Sequence, residues 1–313
     1  MLKIKNLTLA ADVILAPMAG VTDLPFRRIC VELGCKNTTS EMISARAMHY
    51  QDKKTVTLLP KHESEKCFTV QIFGNEPEIM AEAAKRISDM NIADILDINM
   101  GCPAPKIVKN GDGSALMLDE LKASKVISAV RNATNLPLTV KFRSGWDAEH
   151  INALSFAKMA QESGADAVTV HGRTREQFYA DKADWNIVRQ IKDILDIPVI
   201  LSGDVWDKQS IERAKAETRC DGVMVARGAQ GNPFIFSDKV FSQNEVLETA
   251  IRHLAYIVEH KSESIAVREA RKHMCWYIKG MYGAAQAKVA INACNTQAEM
   301  VNALLQLRDN KLL

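Results

Sequence analysis

Eight short apolar runs, rich in β-branched residues, recur between residues 13 and 229: 13–20, 38–43, 67–74, 95–102, 137–146, 167–174, 198–205 and 222–229. Several are almost continuously apolar, the pattern of parallel strands covered on both faces. Helical periodicity fills most of the intervals. Residues 76–90 set Ile79, Ala83, Ile87 and Met90 on one face, and 119–133, 149–164, 185–195 and 207–217 follow the same rhythm. Pro77 suits a first helical turn, and Asp119 and Asp207 suit N-caps. Eight strands alternating with helices predict an α/β fold, a (β/α)8 TIM barrel. A doubly wound sheet is the weaker reading, because no G-x-G-x-x-G follows the first run.

Beyond about residue 243 the strand signal stops. Residues 247–259, 266–279, 283–293 and 296–308 read as helices. The expected division is a barrel over 1–242 and a small helical domain over 243–313. The tail is also charged differently from the body. Residues 249–313 hold nine Lys/Arg against five Asp/Glu, a net +4, which leaves −2 for residues 1–248. A basic tail on a slightly acidic body suits a polyanionic partner, and equally a solvated helical face. Hydrophobic residues at 47% and charged residues at 25% exclude a disordered or collagen-like chain. No run approaches the ~18 apolar residues of a membrane span. The start, Met1-Leu2-Lys3-Ile4-Lys5-Asn6, lacks a signal peptide's apolar core, so a cytoplasmic location is expected. The seven cysteines form no C-x-x-C pair and no ligand cluster that implies a metal.

In a TIM barrel the chemistry lies at the C-terminal ends of the strands. Those ends carry unusual residues here: Ala16-Pro17-Met18-Ala19-Gly20, Gln71, Asn99-Met100-Gly101-Cys102-Pro103, Lys141 and Arg143, His171-Gly172-Arg173-Thr174, Ser202-Gly203-Asp204 and Ala226-Arg227-Gly228-Ala229. Glycines after the seventh and eighth runs, with Arg227, match the place where such barrels bind phosphate. Tight turns would also explain them. Lys141 sits in an apolar strand and needs an anionic partner, either a carboxylate or the negative locus of a reduced flavin. Cys102 opens the polar segment 104–113, read as a loop, where a thiol can act as acid, nucleophile or redox centre.

These motifs together resemble the tRNA-dihydrouridine synthases. The resemblance rests on A-P-M-A-G-V-T-D-x-P-F-R (16–27), S-E-M (40–42), Q-I-F-G (71–74), D-I-N-M-G-C-P-A-P-K (97–106) and G-S-A-L-M (113–117). It continues in V-K-F-R-S-G-W (140–146), V-H-G-R-T-R (170–175), A-R-G-A-Q-G-N-P-F-I-F (226–236) and R-E-A-R-K-H-M-C-W-Y-I-K-G (268–280). It covers about residues 13 to 290 and is closest to the bacterial B-type branch. Two departures stand out: Ser202 where many relatives have Asn, and Asn232-Pro233-Phe234 where many have Arg-Pro-Trp.

The resemblance implies an FMN-dependent enzyme that reduces the C5–C6 bond of uridine in the tRNA D-loop, with NADPH as electron donor. By similarity, Pro17, Met18 and Ala19 line the flavin, and Gln71, Lys141 and His171 contact its rings. Ser202, Gly203, Asp204, Ala226 and Arg227 surround its ribityl chain and phosphate. Hydride from N5 would reach C6, and Cys102 would give the proton to C5. A thiol with a pKa of about 8.5 is mostly protonated at pH 7 and can serve as that acid. The base must leave the RNA stack. Asn99, Arg143 and Arg173 are the candidates to hold it, and Arg271, Lys272 and Lys279 to bind tRNA phosphates. A monomer is expected, since the tail already supplies a second domain. The main rival is a flavin oxidoreductase of a free pyrimidine, which would need no basic helical platform.

Overall fold

The computed structural model describes residues 1–52, 55 and 57–309; Lys311, counted in the basic tail, lies outside the described residues. The eight expected strands are all present: β1 (Val13–Leu15), β2 (Asn37–Ser44), β3 (Cys67–Phe73), β4 (Ile95–Met100), β5 (Leu138–Arg143), β6 (Ala167–His171), β7 (Val199–Ser202) and β8 (Gly222–Val225). They form one parallel sheet in the order β1-β8-β7-β6-β5-β4-β3-β2. From β2 to β8 each strand pairs with the next, and β8 pairs with β1, which leaves only the β1–β2 seam unpaired among the described residues, so the sheet is a nearly closed TIM-type barrel. At the β1–β2 seam the Asn37 side-chain amide donates to the carbonyls of Ala11 and Val13 at 2.9 and 3.1 Å.

The crossover helices are α1 (Leu24–Glu32), α2 (Ala45–His49), α3 (Pro77–Met90), α4 (Pro105–Val108), α5 (Glu120–Ala133), α6 (Ala153–Glu162), α7 (Trp185–Ile194) and α8 (Lys208–Thr218). Local chemistry sets their starts. Pro77 occupies the first turn of α3, Asp119 caps α5, and Asp207 forms a reciprocal capping box with Ser210 on α8. Such a cap stabilises a helix by about 1 kcal/mol. On α3 the buried stripe is Met80, Ala83, Ala84 and Ile87, while Met90, expected on that face, is exposed in the last turn. The stripe keeps i, i+3, i+4, i+7 spacing, rotated by one residue from the sequence reading.

One end of the barrel is sealed by apolar contacts. A two-residue hairpin, Lys3–Ile4 with Leu7–Thr8, was not foreseen in the sequence. It brings Leu2, Ile4 and Leu9 against Ile14, Cys67, Ile95, Ala167, Ile200 and Met224. Cys67, Ile95 and Ala167 open their strands, so this plug lies at the N-terminal end. Polar groups inside the barrel are left to face the other end.

The chain divides into two compact units, residues 1–24 with 35–226, and residues 25–34 with 227–313. Most of α1 therefore belongs to the second unit. That unit also contains α9 (Gln243–His260), α10 (Glu263–Tyr277), α11 (Ala284–Ala293) and α12 (Gln297–Arg308). Its apolar core includes Leu254, Met274, Ile278 and Leu304, all fully buried. Phe26 of α1 packs on the rings of His253 and His273, which meet each other edge-to-face at 4.7 Å. No helix among the described residues is long and apolar enough to cross a membrane.

Candidate active site

Phe142 packs outward on Phe156 of α6, so its strand neighbours Lys141 and Arg143 point into the barrel. Register places Asn99 beside Lys141, Gln71 beside Asp97, and Arg143 beside His171, which in turn lies beside Ser202. Six residues of β3, β4 and β5 and the turn after β4 thus converge: Gln71, Asp97, Asn99, Cys102, Lys141 and Arg143.

Cys102 is held by its main chain. Asn99 Oδ1 accepts the amides of Gly101 and Cys102 at 3.1 and 2.9 Å. Arg143 Nε donates to the Gly101 carbonyl at 2.8 Å. The Cys102 carbonyl accepts from both the amide and the hydroxyl of Ser114, at 3.1 and 2.9 Å. Every main-chain polar group of Gly101–Cys102 therefore has a partner. The following segment, expected as a polar loop, folds into α4 and a 3-10 turn (Gly113–Leu118). Gly113 makes this possible: its φ is +60°, and a Cβ there would lie 2.9 Å from the Cys102 carbonyl oxygen. Five of the seven cysteines are buried, whereas Cys102 and Cys275 are partly exposed. Burial raises the Cys102 thiol above its ordinary value, opposed by the charges of Arg143 and Lys141.

Lys141 is half-buried, and its ammonium makes no hydrogen bond or ion pair among the described residues. Desolvation and the Arg143 charge bring it down to about 8, against an opposing pull from Asp97. The carboxylate that could have paired with it is engaged elsewhere. Asp97 Oδ2 accepts from Gln71 Nε2 at 2.6 Å, and Oδ1 from the Thr139 hydroxyl. Burial pushes Asp97 up to about 6. An unpaired ammonium beside a thiol fits a planar anionic cofactor such as a reduced flavin. The sequence reading did not single out Asp97 or Thr139. The available signal was an acid in the buried run Ile95-Leu96-Asp97-Ile98, which needs donors.

A second cluster occupies the ends of β6 and β7. Gly203 has φ +108°, and a Cβ there would lie 2.7 Å from His171 Cδ2, so glycine lets this turn approach the imidazole. Arg173 is 2% exposed; its Nη2 reaches both carboxylate oxygens of Asp204 at 2.7 and 2.8 Å. It also donates to the Ala180 and Asp181 carbonyls. Arg143 Nη1 donates to the carbonyls of Thr174 and Phe178, which joins the two clusters. Both arginines are engaged by the rim itself. Ser202 is buried at the strand end, and its backbone neighbours Gly203 and Asp204 are half-buried.

Pro17 and Met18 are half-buried and Ala19 exposed in the turn after β1. That turn is tied by the Thr22 hydroxyl to Met18 and by the Glu41 carboxylate to the Gly20 amide. Glu41 lies at a bulge where the β2–β3 register shifts, within S-E-M. Ala226 follows β8. Arg227 begins the second unit and is half-buried. Within that unit Arg271 donates to the Cys294 carbonyl at 2.6 Å, Lys272 is half-buried, and Lys279 is exposed just after α10. Among the described residues no group of three or more His, Cys, Asp or Glu could hold a metal ion.

A family model described as dihydrouridine synthase matches residues 14–312. The chain belongs to the dihydrouridine synthase family. A protein of Rickettsia bellii named probable tRNA-dihydrouridine synthase is 42% identical over 94% of this chain and 94% of its own length. Relatives named tRNA-dihydrouridine synthase B include one from Xanthomonas axonopodis pv. citri, 39% identical over 92% of this chain and 90% of its own. Another, from Pseudomonas aeruginosa, is 37% identical over 91% and 89%. The fold alone is shared with a 2-naphthoyl-CoA reductase in complex with 2-naphthoyl-CoA. That likeness has TM-score 0.60 at 12% identity and covers 74% of this chain and 50% of the other. Family membership gives the site's parts a common context: D-I-N-M-G-C-P supplies Asp97, Asn99 and Cys102, and V-K-F-R supplies Lys141 and Arg143.

Proposed function

We propose that this protein is an FMN-dependent tRNA-dihydrouridine synthase that reduces uridine in the tRNA D-loop, with NADPH as reductant. The observation that carries the reading is a fixed, partly exposed thiol, Cys102, set near the half-buried ammonium of Lys141, which has no partner among the described residues. In this reading Lys141, Gln71 and His171 hold the flavin ring system. Pro17, Met18 and Ala19 line it. Ser202, Gly203, Asp204, Ala226 and Arg227 contribute toward its ribityl chain and phosphate. Because the Asp204 carboxylate is neutralised by Arg173, its contribution is the backbone of a turn with positive φ.

A reduced flavin held by Gln71, Lys141 and His171 would supply hydride toward C6 of a uracil turned out of the RNA stack. Negative charge then develops toward C5 and O4, and Cys102 gives its proton to C5. A thiol raised by burial stays protonated at neutral pH, the state an acid must be in. Asn99 stands beside this acid, and Arg143 and Arg173 shape the rim around the base. Arg271, Lys272 and Lys279 of the helical unit supply cations for tRNA phosphates. The protein acts as a cytoplasmic monomer in this account. Reoxidation of the reduced protein by tRNA, but not by free uridine, tests the substrate class against a small-molecule reductase.

A further inference from the structure

Four side chains form one hydrogen-bonded line from the barrel interior to the acid. The Thr139 hydroxyl and Gln71 Nε2 both donate to the Asp97 carboxylate. Gln71 Oε1, the other end of that amide, accepts from Asn99 Nδ2 at 2.8 Å. Asn99 Oδ1, the far end of the second amide, accepts the amides of Gly101 and Cys102. Asp97 and Gln71 are 2% and 0% exposed, so water does not compete for these bonds.

The order of donors and acceptors matters. A side-chain amide can sit either way round at little steric cost, because its oxygen and nitrogen are nearly the same size. An acceptor-only carboxylate at Asp97 selects one orientation of Gln71, nitrogen inward and oxygen outward. That oxygen selects nitrogen-inward for Asn99, and so leaves the Asn99 oxygen facing the two amides. Had Gln71 turned round, either its nitrogen would meet the Asn99 nitrogen, or Asn99 would turn as well and present donors to the donors of Gly101 and Cys102. We propose that Asp97 is a positioning residue for Cys102: through Gln71 and Asn99 it sets two amides in series and so fixes the main chain that carries the thiol. The inference rests on the function assigned above to Cys102, but its test does not require turnover.

The test uses the full-length, FMN-loaded protein. Hydrogen exchange is read on the peptide spanning residues 99–104, and the reduced flavin's reoxidation by unmodified tRNA is timed in parallel. Asp97→Ala is expected to raise exchange of that peptide at least tenfold and to slow reoxidation at least tenfold, with reduction by NADPH within threefold of wild type. Asp97→Asn can still offer an oxygen to Gln71 and its nitrogen to the Thr139 oxygen. It is expected to keep both readouts within threefold. Asn99→Leu removes the last acceptor and should raise exchange of the 99–104 peptide as Asp97→Ala does, and the double variant should exchange no faster than Asn99→Leu alone. Wild-type exchange in Asp97→Ala would overturn the proposal. So would Asp97→Asn behaving like Asp97→Ala, which would make the charge and not the amide order responsible, or additive effects in the double variant. Should Asp97→Ala not fold, Gln71→Leu cuts the same line one link later and is read on exchange alone, where at least a tenfold rise in the 99–104 peptide is expected and wild-type exchange would overturn the proposal. A protein that makes no dihydrouridine would leave the exchange result intact and would count against the function, not the relay.

Discussion

Arg173 and Asp204 form a nearly buried ion pair across the ends of β6 and β7, the guanidinium 2% and the carboxylate 19% exposed. Both are strand-end residues expected to touch ligand, and the structure turns them toward each other. Asp204 also accepts the Ala183 amide, and it adopts a left-handed φ of +56°. Breaking such a pair by removing one partner leaves a buried charge and costs about 3–5 kcal/mol. Asp204→Ala should therefore lower the thermal midpoint strongly, while Arg173→Met with Asp204→Leu should recover much of the loss. Thermal unfolding of Asp204→Ala, of Arg173→Met and of the double variant checks this. Equal losses in all three would show that the pair is not the brace inferred.

Cys102→Ala should leave FMN content and reduction by NADPH unchanged and slow tRNA-dependent reoxidation at least a hundredfold. Loss of a positioned general acid typically costs 10²–10⁴-fold. Stopped-flow traces of the two half-reactions separate the steps. Wild-type reoxidation in the variant would remove the acid's assignment.

Much of the architecture follows from patterns local in sequence. Apolar β-branched runs mark the eight strands, and Asp119 and Asp207 mark helix starts, because these signals arise within a few residues. The N-terminal plug was not legible: Lys3–Ile4 and Leu7–Thr8 are too short for periodicity, and their contacts lie far along the chain. The helix Leu24–Glu32 was missed as well, and its partners, His253 and His273, lie over 200 residues away in the sequence. At the site, position was legible and partnership was not. Lys141 and Cys102 stand out as polar residues at the ends of apolar strands. That Asp97 bonds Gln71 and Thr139 and leaves Lys141 unpaired depends on strand register and side-chain direction.

On the proposed reading, Lys141 would give FMN binding a pH dependence. Its proton is lost through about pH 8 in the free protein. A ligand that needs the ammonium therefore binds fully below that pH and weakens as pH rises through it, by up to tenfold per unit. Titration of the apoprotein with FMN from pH 7 to 9.5 should show this fall, and Lys141→Met should bind more weakly at pH 7 with a flat profile. An unchanged slope in the variant would move the effect to another group.

The helical unit should be acid-sensitive through His273. Burial, reinforced by His253, holds its pKa well below 6.5, so the folded unit keeps the ring neutral while the unfolded chain takes up a proton. This contribution to stability is complete above about pH 6.5 and is lost as pH falls below it, by up to about 1.4 kcal/mol per unit. Asp97, raised to about 6, acts in the opposite sense, gaining stability as pH falls from there toward 3.8. The comparison is therefore made between wild type and His273→Phe by urea unfolding at pH 7 and 5.5. The variant is expected to lose less stability between the two. Equal losses would place the acid sensitivity elsewhere.

Dihydrouridine mapped by position in unmodified tRNA, after incubation with the purified protein and NADPH, tests the central claim most directly. The account predicts product at a defined D-loop uridine, absent with Cys102→Ala. An FMN-loaded protein that NADPH reduces yet that leaves every uridine intact would contradict it.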